Sequence, residues 1–115
     1  MFVGFPARIL NIKEFRKTIK EIGEEEFNFI ELSLDYPIPF NIEESKIRSI
    51  LKEIKDYGME IAFHGPWRDL SLASPINEVR EASLSYVVKT MEFSSKFNPL
   101  YYNIHLFSNQ SMRIR

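Results

Sequence analysis

The chain alternates between two hydrophobic rhythms. Ile12, Phe15, Ile19 and Ile22 recur at steps of three and four, which predicts a helix, with Asn11 as its N-cap. Ile47, Ile50, Leu51, Ile54 and Tyr57 repeat the spacing. Asn41 stands three residues before Glu44 like a capping box, and Gly58 supplies a stop. A third helix is predicted to start at Ser74-Pro75, with Pro75 in the first helical position. Its stripe is Val79, Ala82, Tyr86, Phe93 and Phe97, and Asn98-Pro99 ends it.

Between these lie short apolar runs rich in β-formers: Met1–Phe5, Phe27–Leu32, Met59–His64 and Leu100–Leu106. The order β-α-β-α-β-α-β predicts an α/β fold of parallel β/α units with right-handed crossovers. The nine residues after the last run, 107–115, carry no pattern long enough for a fourth helix. The last strand, and with it the first, is then left with an open edge, which invites pairing with another chain.

Alternation along the strands sorts the side chains by face. Ile30, Leu32 and Leu34 share one face of their run, while Phe27, Phe29, Glu31 and Ser33 share the other. Ile61 and Phe63 separate in the same way from Ala62 and His64, and Tyr102, Ile104 and Leu106 from Tyr101, Asn103 and His105. The more apolar faces should meet the helices. Glu31, His64 and His105 then share the opposite face, near the C-terminal strand ends where α/β folds bind ligands.

Two imidazoles and a carboxylate suit zinc, manganese or iron. The two histidines are the only ones in the chain and hold matching places on two strands. A strand-end histidine is equally the place of a hydrogen-bonded core residue, and Glu31 equally a buried carboxylate held by backbone N–H groups or by Arg8. Trp67 and Arg68 follow at the same rim. The indole can stack on a sugar or base and the guanidinium can hold a phosphate. The plainer alternatives are a loop anchor for Trp67 and a surface pair with Asp69 for Arg68. Asp35 sits at this rim in a turn.

Composition narrows the classes. The chain has 115 residues, a net charge of −1 and 44% hydrophobic residues, which fits one domain with a modest core. That charge offers no general attraction to nucleic acid or to an anionic membrane. No apolar run nears the roughly 20 residues of a membrane span. The opening Met1-Phe-Val-Gly-Phe-Pro shows no basic leader, so the expected compartment is the cytoplasm. The absence of cysteine excludes a thiolate nucleophile and a disulfide scaffold.

FIELSL at 29–34, IAFHGPWRDLSLASP at 61–75, REASLSYVVKTMEFSSKF at 80–97 and YYNIHL at 101–106 resemble the xylose-isomerase-like TIM barrel superfamily. That superfamily holds sugar-phosphate isomerases and epimerases and the endonuclease IV group of AP endonuclease family 2. The resemblance implies metal ligands at His64 and His105, a rim role as ligand or base at Glu31, and a divalent metal (zinc, manganese or magnesium). A full barrel of this type needs eight β/α units and about 250 residues. The four runs here match the N-terminal half, without the carboxylate ligands of the later strands and without the opening Gly-Ala-His-Val-type strand of endonuclease IV. The expected fold is therefore half of a TIM-type barrel, a fragment or a natural half-barrel completed by self-association. The expected chemistry is metal-dependent isomerisation or epimerisation of a sugar or sugar phosphate. Phosphodiester cleavage at damaged DNA is the alternative within the family, and an inactive self-associating half-barrel is the alternative outside it.

Overall fold

A computed structural model describes residues 1–35 and 42–106. The elements follow the expected order: β1 Gly4–Ala7, α1 Ile12–Gly23, β2 Phe29–Ser33, α2 Glu44–Asp56, β3 Glu60–His64, α3 Asn77–Ser95 and β4 Tyr102–Asn103. All pairings are parallel, and the strands lie in the order β1-β2-β3-β4. This order decides the architecture. Each right-handed crossover moves one strand in the same direction, so every helix falls on one face of the sheet. A doubly wound sheet would reverse direction and cover both faces.

The covered face carries the core. Phe15, Ile19 and Ile22 of α1, Ile47, Ile50 and Ile54 of α2, Ile30 and Leu32 of β2, and Ile61 and Phe63 of β3 form one buried cluster. Ile30, Ile50, Ile54 and Ile61 are completely buried, each contributing about 1.5–3 kcal/mol by removal from water. The predicted stripes of α1 and α2 are the buried ones, apart from partly buried Ile12 and exposed Tyr57. Asn11 caps α1, its side-chain oxygen accepting from the Glu14 N–H at 3.2 Å. Gly58 follows α2 with φ +78°.

Of the other helix starts, that of α3 differs from expectation. Asn41 lies outside the described residues. α2 starts at Glu44 behind Glu43, whose side chain makes no capping bond. α3 starts at Asn77, two residues beyond Pro75. Ser74 forms a local turn there instead, its Oγ accepting from the Ile76 N–H at 3.1 Å and its carbonyl from Arg80 Nη1 at 2.8 Å. The turn draws the chain away from helical geometry until Asn77.

The buried face of α3 is also not the predicted one. Ser83, Val87, Thr90 and Ser94 are buried, whereas Val79 and Ala82 are exposed. Phe93 and Phe97 do pack on the core. Small hydroxyl residues let the helix approach closely, and their polar atoms are satisfied. Thr90 Oγ1 donates to the Val87 carbonyl at 2.7 Å and meets the Tyr102 hydroxyl at 2.5 Å, Ser94 Oγ donates to the Met91 carbonyl at 2.9 Å, and Ser83 Oγ accepts from the Ser71 N–H at 2.9 Å. Leu84, Val88 and Met91 are left exposed on the outer side.

The strands are shorter than the apolar runs. β1 begins at Gly4, but Asn28 extends its pairing: Val3 N–H donates to Asn28 Oδ1 at 2.8 Å, and Asn28 N–H to the Val3 carbonyl at 2.7 Å. β4 spans two residues, although Leu100 N–H donates to the Ile61 carbonyl at 2.8 Å and Gly65 N–H to the Asn103 carbonyl at 2.8 Å. Ile104 and Leu106, expected against helices, are exposed. Residues 107–115, and with them the expected absence of a fourth helix, lie outside the described residues.

Ile50→Ala is expected to lower the unfolding free energy of the chain by about 2–5 kcal/mol, because it hollows the cluster between α2 and the sheet. Asn11→Ala is expected to cost about 1 kcal/mol through the lost cap. Urea titrations followed by circular dichroism check both, and the two losses should rank in that order.

Candidate functional site

The helix-free face of the sheet carries the polar residues, as alternation along the strands requires. Glu31 pairs with Ala62, and two residues further Ser33 pairs with His64 and His64 with Asn103. His64 therefore stands one level above Glu31, toward the C-terminal rim. The longer glutamate spans the step, and its Oε1 lies 2.7 Å from His64 Nδ1. Its Oε2 accepts from the Tyr101 hydroxyl. His64 Nε2 points the other way and meets His105 Nε2 at 2.5 Å. The sequence-predicted Glu31, His64 and His105 are thus brought together, but in a row with His64 in the middle.

The row has a direction. An ionised carboxylate only accepts hydrogen bonds, so Nδ1 of His64 is the donor. A neutral His64 then carries its lone pair on Nε2, facing His105. Burial holds the His105 pKa below its ordinary value, and the neighbouring His64 pushes in the same direction, while Asp35 and Glu31 pull weakly the other way. One shared proton satisfies both imidazole nitrogens, whereas a cation held by both at about 2.0–2.1 Å would need them further apart.

Tyr101 is the residue that strand parity placed on this face without a role. Burial first, and then the hydrogen bond and charge of Glu31, push its pKa up to about 12. The phenol is a donor at any ordinary pH. Its ring meets Phe29 edge-on at 5.9 Å, and Phe29 stacks on Phe2 at 5.2 Å. Gly4 makes room for this aromatic layer, since a Cβ there would fall 2.2 Å from the Phe29 ring.

Around the rim the loops behave differently from expectation. Arg68 does not pair with Asp69. Its Nε lies 3.1 Å from Asp35 Oδ2, and its backbone N–H donates to Asp35 Oδ1 at 3.3 Å. Arg8 does not hold Glu31 but reaches the same Asp35 Oδ2 at 3.6 Å. Asp35 is 1% exposed, so a nearly buried carboxylate carries two guanidinium groups. With the Glu31 carboxylate in the same depression, two guanidinium groups face two carboxylates at the rim. The ionic contacts leave Asp35 Oδ2 without a well-aligned hydrogen bond. Trp67 is 39% exposed, with its ring 6.1 Å from that of His105 and 5.7 Å from the Arg68 guanidinium carbon. Pro6, Ala7, Arg8, Glu31, Ser33, His64 and Trp67 line one open depression.

The donor set fits part of a metal centre. His64 and His105 would hold the ion through Nε2, and the carboxylate on Nδ1 matches the usual second partner of a metal-bound histidine. In such a centre the Glu31 contact to Nδ1 would orient His64. Two imidazoles are fewer than the three protein ligands of a catalytic zinc site. Among the described residues no group of three or more His, Cys, Asp or Glu side chains could hold a metal ion. No helix among them is long and apolar enough to cross a membrane.

The raised Tyr101 pKa sets a sign for alkaline stability. The unfolded phenol ionises near pH 10 and the folded one near about 12. The contribution is present below pH 10 and lost as pH rises through that window. Tyr101→Phe should remove a late phenolate transition from the ultraviolet absorbance titration and flatten the fall of the urea midpoint above pH 10.

Residues 10–111 match the family model described as xylose isomerase-like TIM barrel. A curated relative, the probable endonuclease 4 of Aquifex aeolicus (strain VF5), is 28% identical over 94 residues, covering 82% of this chain and 33% of that protein. The fold matches a D-psicose 3-epimerase from Clostridium cellulolyticum H10, solved with D-tagatose, with a TM-score of 0.71 and 16% identity. It also matches a D-psicose 3-epimerase solved in the presence of D-fructose, with a TM-score of 0.70 and 20% identity. Each alignment covers 89% of this chain and 36% of the epimerase. The chain thus spans about a third of the length of these relatives, as half of a barrel would. With the family model matched over most of its length and four parallel β/α units in sequential order, the chain belongs to the xylose isomerase-like TIM barrel family.

Proposed function

We propose that this chain is the N-terminal half of a metal-dependent sugar or sugar-phosphate isomerase or epimerase. One observation carries the reading: His64 Nε2 and His105 Nε2 converge at the C-terminal rim while Glu31 occupies the Nδ1 side of His64. His64 and His105 are the metal ligands, and Glu31 keeps His64 in the tautomer that leaves Nε2 free. A divalent metal bound here supplies polarisation of a carbonyl or hydroxyl oxygen. Trp67 offers its exposed indole face to a sugar ring. Arg68, with its side chain half exposed beside Asp35, offers its guanidinium to an anionic group such as a phosphate.

The remaining ligands come from outside these four strands. We propose a second copy as their source in the isolated chain, with β4 of one copy against β1 of the other and eight strands about a two-fold axis. Among the described residues β1 and β4 are the edge strands, and these edges with the exposed Phe2, Ile104 and Leu106 support this arrangement. Four histidines then face one mouth.

A second reading, phosphodiester cleavage at damaged DNA with metal-activated water, draws on the endonuclease 4 likeness. The net charge of −1 supports the sugar reading over it.

Metal analysis of untagged protein after dialysis against zinc or manganese should find stoichiometric metal, and His64→Ala or His105→Ala should each remove it. With metal bound, the chain should catalyse exchange of a sugar carbon-bound proton into deuterated water, read by NMR on D-psicose and on ketose phosphates. Cleavage of abasic DNA without such exchange would establish the second reading. Light scattering at micromolar concentration should give twice the chain mass, and a monodisperse monomer refutes the paired arrangement.

A further inference from the structure

We propose that Tyr101 is a positioning residue for His64. Its hydroxyl, acting through Glu31, holds the imidazole with Nδ1 protonated and Nε2 presented to the rim. The proposal rests on the metal reading only for the use made of Nε2, not for the tautomer itself.

The register makes the contact possible. Glu31 pairs with Ala62. Tyr101 immediately precedes Tyr102, the partner of Phe63, and so lies level with Ala62. Glu31, Ala62 and Tyr101 therefore form one layer across β2, β3 and the approach to β4, on the helix-free face. Adjacent strands are about 4.8 Å apart, which separates the outer two backbones by about 10 Å. A carboxylate and a phenol together span that gap only if the residue between them is small. Ala62 is a single methyl group, and fully buried.

Both carboxylate oxygens are then engaged, Oε1 by His64 Nδ1 and Oε2 by the Tyr101 hydroxyl. A carboxylate tied at one oxygen can rotate and present either face, whereas one tied at both is held in place. The Tyr101 ring is itself held edge-on by Phe29, which stacks on Phe2. Arg8, which lines the same depression as Glu31, is committed to Asp35. Support for the His64 ring therefore runs from the aromatic layer through a phenol to the carboxylate.

The decisive variant is Tyr101→Phe, which keeps the ring and its packing and deletes only the hydroxyl. Tyr101 is 41% exposed, so the fold tolerates the change, as circular dichroism will confirm. Long-range nitrogen–proton NMR of histidine-labelled protein should show His64 as the Nδ1–H tautomer in the native chain and as a mixture of both tautomers in the variant. In zinc calorimetry the variant should bind about three- to tenfold more weakly, less than the about 10–100-fold typical of losing the partner that touches the ligand itself. In a Glu31→Ala background, adding Tyr101→Phe should change neither readout. An unchanged tautomer in the single variant, or an equal loss of affinity in both backgrounds, would overturn the proposal. A native chain that binds no zinc overturns the metal reading instead, and the tautomer measurement still decides the role of Tyr101.

Discussion

A parallel sheet whose strands run in sequential order can place its right-handed crossovers on one face only. Everything else in this molecule depends on that constraint. Three helices and nearly all the aliphatic bulk collect on one side of β1-β2-β3-β4. The other side receives every second residue of each strand, and no helix among the described residues buries it. In an eight-stranded barrel this is the inner wall. Here it is where Phe29, Glu31, His64, Tyr101 and His105 meet.

The two sides obey different physics. On the helix side, shape and hydrophobic transfer dominate, and polar groups survive only where the backbone satisfies them. The hydroxyls of Thr90 and Ser94 turn back onto carbonyls of their own helix, so a polar face is buried at little cost. On the inner side, hydrogen bonds set the geometry. Glu31 is spanned by two donors, His64 by a carboxylate and an imidazole, and each partner limits the rotation of the next. An arrangement of this kind gives the lone pair of His64 Nε2 a defined direction, toward His105.

The rim loops add charge to this geometry. Asp35 is nearly buried, and a buried carboxylate needs compensation. It draws Arg68 from the loop after β3 and Arg8 from the end of β1, which ties two loops to the end of β2. Counted with Glu31, two carboxylates balance two guanidinium groups beside Trp67 and the histidine pair. The same three residues anchor both loops and bring two guanidinium groups to the rim.

Much of this was legible in the chain itself. Periodicity places α1 and α2 and their buried faces, because long amphipathic segments are set by local spacing and hydrophobicity. Strand alternation puts Glu31, His64 and His105 on one face, because the period of two is a property of the extended backbone. The face and the start of α3 were not legible. Ser83 and Thr90 are buried only because Ser71 and Tyr102 lie beside them, and Ser74 opens a turn rather than a helix. The partners of Arg8, Arg68 and Tyr101 were equally hidden. Each is a contact between residues far apart in sequence, fixed by register and by the space above Ala62. Local pattern determined which residues reach the inner face. Tertiary structure alone decided which of them touch, because strand register and loop closure are settled only when the sheet is assembled.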